Sequence, residues 1–401
     1  MAASYTHMKM KRILFIIGLL VVENQYAQSY NLDSLISIII KDIEKEQTKE
    51  QGEFYPGMFY SFRGAAVFPH NFQPDNNIFF TAIGSFTLKY LKKDIAPKHQ
   101  IVIDSILAKS SRSFPYYQNK NGLPLYNFWP TGGKIMPHSF IAQHLTKQFT
   151  ISEDADDTVM ILMSLLNKDS SNNYVKKRLE EVSNQGSAGK QIRSTYKRFR
   201  EYNAYTTYLG YKMQTDFDFS VQCNILYFNY AIKMGLSKQD SATLELLSAM
   251  TKERLYMKRP RYISPYYGRP SLILYHLTRL MARFHPAELE SYKPIIIEDV
   301  RTLLSTAKTP LERVLLSTSL LRLGARSSLP SEREIQMIRW MEQHKFSFFQ
   351  ARPAYWCRPW LKSILLHAEG VNYNFFSPTY DKILLLENLV LHQKNNTPTS
   401  Y

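Results

Sequence analysis

Three carboxylates fall within four positions in Asp154-Ala155-Asp156-Asp157-Thr158, and a largely apolar run, 159–166, comes directly after them. Like charges this close cannot all ionise cheaply, so at least one keeps its proton near neutral pH. A carboxyl that holds its proton beside an apolar space suits acid-initiated chemistry, in which the proton passes to a weakly basic group. Asp at a helix N-terminus also caps free N–H groups and is favoured by the helix dipole. One or two Asp would serve that purpose. Three, with Glu153 beside them, exceed it.

The elements that must position these groups are read from periodicity. Strand signals are weak, and segments with a 3.6-residue repeat come in pairs. The expected pairs are 76–90 with 98–109, 156–166 with 172–182, and 219–233 with 238–255. The remaining three are 271–284 with 294–305, 310–323 with 330–343, and 359–367 with 380–391. The first member of each pair tends to be apolar all round and the second to carry a charged face. That contrast separates buried helices from covering ones. Six such pairs predict an all-α chain, an (α/α)6 toroid of six helical hairpins, over residues 29–393. In a toroid the inner helices start at the same end, so their N-termini and long aromatic connections converge on one mouth. That mouth is where a site is expected.

Composition narrows the class. With 401 residues and 44% hydrophobic content the chain can build a large core. Aromatics reach 13%, which suggests an aromatic-lined cavity. A net charge of +16 favours anionic partners. No zinc finger, RNA-binding signature or arginine-rich arm is present, so nucleic acid is not an expected partner. Lys9, Lys11 and Arg12 precede an apolar run, 13–22, and Ala27 lies near a plausible cleavage point. Residues 1–28 therefore read as a signal peptide, with 1–7 extraneous if Met8 is the true start, and the protein as exported, periplasmic or extracellular. Residues 394–401 read as a frayed tail. Cys223 and Cys357 could pair, but two cysteines make no disulfide framework.

The motif Asp154-Ala155-Asp156-Asp157-Thr158 at the head of an inner helix resembles the D-x-D-D-T motif of class II terpene cyclases, the squalene–hopene cyclase type. The segment 217–230, with Val221, Asn224 and Leu226, faintly resembles the stretch C-terminal to the motif in that family. The resemblance has specificity over 126–230 and is architectural elsewhere. It implies that Asp156 is the general acid that protonates an alkene or epoxide of an isoprenoid. It further implies that Asp154 and Asp157 orient it, raise its acidity and relay the replacement proton. Aromatic faces would stabilise the carbocations through the ring quadrupole. Trp129, Tyr126, Tyr227, Trp356 and Trp360 are candidates to line the substrate space. No cofactor is implied, with Mg2+ the exception if the substrate carries a diphosphate.

Other constellations define the alternatives. Arg259, Arg261 and Arg269 lie among Tyr and Pro before an inner helix. They could hold a diphosphate or rest on an anionic membrane while an apolar substrate enters. His138 and His144 lie upstream of the motif and could hydrogen-bond Asp154 or Asp156. Asp218, Cys223 and His276 do not have a zinc-site spacing, so no metal centre is expected. Asp156 with Asp218 or Asp75 could instead be the separated carboxylate pair of a secreted (α/α)6 glycoside hydrolase or polysaccharide lyase. A third reading is a non-catalytic toroid that binds lipid or glycan and keeps the acidic motif as a structural cap.

Overall fold

The computed structural model of the protein describes residues 31–65, 72–133, 153–165, 169–192, 195–210, 215–341, 346–352 and 372–396. The structure is mostly helical. Helix α1 spans Leu32–Glu46. Strands β1 (Phe62–Ala65) and β2 (Phe72–Pro74) come next, then α2 (Phe79–Leu91), α3 (Pro97–Ser111), α4 (Ala155–Leu165), α5 (Asp169–Glu181), α6 (Phe219–Ala231) and α7 (Lys238–Lys252). After two single-turn helices come α8 (Pro270–Phe284), α9 (Lys293–Thr306), α10 (Pro310–Arg322) and α11 (Glu332–Gln336), which runs into a wider turn at Met337–Met341. Strands β3 (Phe349–Ala351) and β4 (Tyr373–Phe376) precede α12 (Pro378–Asn396).

Helix starts use local chemistry. Asp218 caps α6 by accepting from the N–H groups of Ser220 and Val221. Ser237 and Asp240 form a reciprocal capping box on α7, and Thr309 caps α10 just before Pro310. Such caps satisfy N–H groups that have no partner within the helix.

Burial separates two kinds of helix, as the pattern predicts. In α2, α4, α6, α8 and α10 nearly every residue is buried. In α3 only His99, Ile103, Ile106 and Ser110 are, a stripe with helical spacing. The buried helices contact one another in order: α2 with α4, α4 with α6, α6 with α8, α8 with α10, α10 with α12, and α12 again with α2. The flanking helices pack outside them, α3 on α2, α5 on α4, α7 on α6 and α9 on α10.

Several features depart from the sequence reading. The chain is not wholly helical: β2-β1-β4-β3 form an antiparallel sheet, with Phe62 opposite Phe376 and Phe349 opposite Phe375. Each strand has only three or four residues, too few for an alternating pattern to stand out. The last pairing also differs. The expected inner segment 359–367 lies outside the described residues, and 380–391, expected to be a covering helix, is buried within α12. Helix α1 packs on α12 and has no counterpart among the expected pairs. Finally, α12 continues to Asn396, past the expected start of the tail at 394. The proposed leader, 1–28, lies outside the described residues. Among the described residues no helix is long and apolar enough to cross a membrane.

The contact between α2 and α12 is tight at Gly84. A Cβ there would sit 2.8 Å from the Phe59 ring and 3.0 Å from Ile383 Cδ1. Both neighbours are fully buried and cannot swing away. Alanine would gain about 1 kcal/mol of helix propensity, but overpacking costs about 1–3 kcal/mol and grows with side-chain size. Gly84→Val is therefore expected to lower stability by about 3 kcal/mol in a denaturant titration. Unchanged stability would mean that α12 does not lie against α2.

A candidate acid site

Residues before α4 set the head of that helix. The Asp154 N–H donates to the Tyr126 carbonyl at 2.9 Å, and the Tyr126 N–H donates to Thr158 Oγ1 at 3.0 Å. Asp154 Oδ1 accepts from the N–H groups of Asp156 at 2.7 Å and Asp157 at 3.2 Å. Asp154 is thus the cap. The next two carboxyls are free for other contacts.

Asp156 points into the protein. Asn224 on α6 donates Nδ2 to its Oδ1 at 2.6 Å, and the Tyr267 hydroxyl, just before α8, donates to its Oδ2. Asn224 Oδ1 in turn accepts from Arg279 on α8 and lies 3.0 Å from His276 Nδ1. Burial, then Arg279 and Arg322, hold His276 well below the usual imidazole range, so it is neutral. Tyr267, fully buried with Asp156 beside it, keeps its phenolic proton and remains a donor.

The three carboxyls differ. Burial pushes Asp156 up to about 6, opposed by the Tyr267 and Asn224 hydrogen bonds, which favour the charged form. Asp154 is half-buried as a residue, but its carboxyl is desolvated and faces Asp156, which brings it to about 7. Asp157 has no hydrogen-bond partner on either oxygen among the described residues and is 1% exposed. Burial, then Asp154 and Asp156, push it well above the carboxylate range. A proton retained by the cluster is therefore held by the Asp154–Asp157 pair. Asp156 is the most acidic of the three because it alone has two side-chain donors.

The other expected site residues fall in several places. Asp218 reaches about 7 through burial, but its oxygens are occupied by its own helix, the Ser264 hydroxyl and the Tyr266 N–H. Trp129 is buried and donates Nε1 to Asp75 at 3.0 Å, while Arg63 pairs with the same carboxyl. Tyr126 holds α4 through its backbone. Tyr227 is not beside the acids. It packs near the C-terminal ends of the buried helices, against Phe86, Tyr90 and Phe284. Arg259 is exposed at a break between two single-turn helices, and Arg269 lies over the Phe346 ring next to α8. Arg261 packs close to Gly268 in the same region. His138, Trp356 and Trp360 lie outside the described residues, as does Cys357; Cys223 is buried.

The expected open aromatic hole is occupied on its described flank. Phe348 packs against Tyr267, Tyr275, His276 and Tyr380, and Phe349 against Phe79, Phe128 and Tyr266. Sequence reading missed Tyr267 and Arg279 as partners of the motif. The signal was present: Asn224, His276 and Arg279 are polar residues inside apolar helical runs, where each must find a partner. Among the described residues no group of three or more His, Cys, Asp or Glu side chains is arranged to hold a metal ion.

No family model matches the chain, and no curated protein matches it in sequence.

A buried protonated carboxyl makes stability depend on pH. Asp157, Asp154 and Asp218 have raised values in the folded chain. The unfolded chain then binds fewer protons, so stability falls as pH rises through this range. Neutral buried His276 has the opposite effect, but only below about pH 6.5, where unfolded histidine charges. Above that the carboxyl effect remains, and it lowers stability as pH rises. Stability is therefore expected to fall as pH rises above about 6.5, and Asp157→Asn to flatten that fall. Thermal melts across that range check it; equal slopes in both proteins would mean that Asp157 is ionised.

Proposed function

We propose that the ordered contacts from α2 around to α12 form an (α/α)6 toroid, and that the protein is a class II terpene cyclase-like enzyme with Asp156 as its general acid. The single observation that carries this reading is the inward Asp156 carboxyl, buried and held by donors from Asn224 and Tyr267. Both donors stabilise the carboxylate left after proton transfer, so they strengthen the acid. A proton relayed onto Asp156 from the Asp154–Asp157 pair passes to an alkene carbon or an epoxide oxygen of an isoprenoid. Asp156 is left as carboxylate and the substrate as a cation. Asp157 and Asp154, which hold protons near neutral pH, are the reservoir for its return. The aromatic faces of Tyr267, Phe348 and Phe349 are suited to stabilise a cation.

Because Phe348 and Phe349 occupy the flank beside Tyr267, substrate entry in this reading requires the 346–352 segment to shift. An apolar isoprenoid is the expected partner. The basic loop with Arg259, Arg261 and Arg269 is the candidate contact with an anionic membrane or diphosphate, and Mg2+ enters only if the substrate carries a diphosphate. Export remains the reading of the N-terminal segment.

The structural-cap reading has one specific observation in its favour: Asp154 satisfies two N–H groups of α4. The glycosidase or lyase reading has less support. Asp75 and Asp218, the possible partners of Asp156, are both 0% exposed and fully engaged by side chains or backbone.

Purified protein offered squalene, farnesyl diphosphate and geranylgeranyl diphosphate is expected to yield a cyclic product. Asp156→Asn should lower that rate by about 10²–10⁴, the usual contribution of a positioned acid. No turnover, with a lower melting temperature for Asp156→Asn, would favour the cap. Reducing or unsaturated sugar released from a polysaccharide panel would favour the carbohydrate reading.

A further inference from the structure

The C-terminal ends of the buried helices line a cleft of about 210 Å³ that is open to solvent on one side. It is lined by five cations, Lys93, Arg279, Arg283, Arg322 and Lys394, and by one carboxylate, Glu387. Glu387 is already held by Arg322 and by the Tyr275 hydroxyl. Lys394 pairs with Asp94 at 3.2 Å. Lys93 and Arg283 form no ion pair among the described residues, and both are exposed at the rim.

Arg279 is the informative member. It is 7% exposed, and its Nε and Nη1 have no hydrogen-bond partner among the described residues. Its third nitrogen, Nη2, donates to Asn224. The guanidinium otherwise faces rings, at 4.9 Å from the Phe86 centroid and 5.5 Å from that of Tyr275. Buried N–H donors of a permanent cation are costly when left unpaired. Ring faces offset part of that cost but supply no acceptor lone pair. Helix C-termini carry partial negative charge, on the order of half a unit each, and work against an anion here. Five full positive charges, two of them paired with Asp94 and Glu387, outweigh them.

We propose that this cleft binds a phosphate or diphosphate group, with Arg279 at its floor and Lys93 and Arg283 at its rim. Its volume equals about seven water molecules, enough for either group. The permanent charge of Arg279, with Lys93 and Arg283 beside it, is suited to a phosphate group. Tyr90 and Tyr227, also in the lining, provide an aromatic wall for an organic group attached to it. The site touches the acid cluster through the Arg279–Asn224 hydrogen bond, and anion binding there does not depend on the proposed cyclisation.

The test uses the purified chain and inorganic pyrophosphate, with binding read by titration calorimetry. Saturable binding is expected, weakened about tenfold or more in the double variant Lys93→Glu, Arg283→Glu. Both residues are exposed, so the variant should melt at the wild-type temperature. The ligand source is read from a second arm, sedimentation with vesicles of phosphatidylcholine with or without phosphatidic acid. Binding of pyrophosphate alone indicates a soluble phosphorylated ligand. Co-sedimentation only with phosphatidic acid, lost in the double variant, indicates a lipid headgroup. No saturable binding in either arm, or binding unchanged in a folded double variant, overturns the site.

Discussion

Asp156 receives hydrogen bonds from Asn224 on α6 and Tyr267 before α8 while sitting at the head of α4. That one buried carboxyl joins three consecutive helices at their contact ends. Removing a carboxylate from water costs several kcal/mol, and two side-chain donors recover part of it. The surrounding geometry meets this need. Asn224 can donate to Asp156 because its carbonyl oxygen is turned toward Arg279 and His276, which requires α6 and α8 to be in register. Asp218 adds a second tie between the same elements, capping α6 and accepting from Ser264 and Tyr266.

Apolar packing supplies the bulk of the stability and places these ties. The buried helices are covered on all sides, so each large side chain contributes on the order of 1.5–3 kcal/mol by leaving water. The small sheet serves a local purpose. β2 runs into α2 and β4 into α12, while β3 brings Phe348 and Phe349 against the aromatic residues around Tyr267. The result is a dry surrounding in which a carboxyl holds or loses its proton according to its donors, with little help from solvent.

Much of the helical plan is legible in the chain. The pairs from 98–109 to 310–323 lie within a few residues of observed helices, because apolar runs with 3.6-residue spacing leave little choice. The end of the chain is harder to read. Leu384, Leu385 and Leu386 mark a buried helix, yet the neighbouring Asp381, Lys382 and Glu387 give it the charged look of a covering one. Lys382 is in fact held by Glu46, and Glu387 by Arg322. Charges neutralised by distant partners cannot be told from solvated charges in a linear reading.

The site divides in the same way. The spacing of Asp154, Asp156 and Asp157 is enough to place three carboxyls on one helix head, because covalent order and helical geometry leave them nowhere else to go. Which of them ionises depends on the folded surroundings. Asp154 turns back onto its own helix, Asp156 meets Asn224 and Tyr267, and Asp157 meets no hydrogen-bond donor among the described residues. The partners of Asp156 lie 68 and 111 residues away, and only the folded chain brings them within reach of the proton.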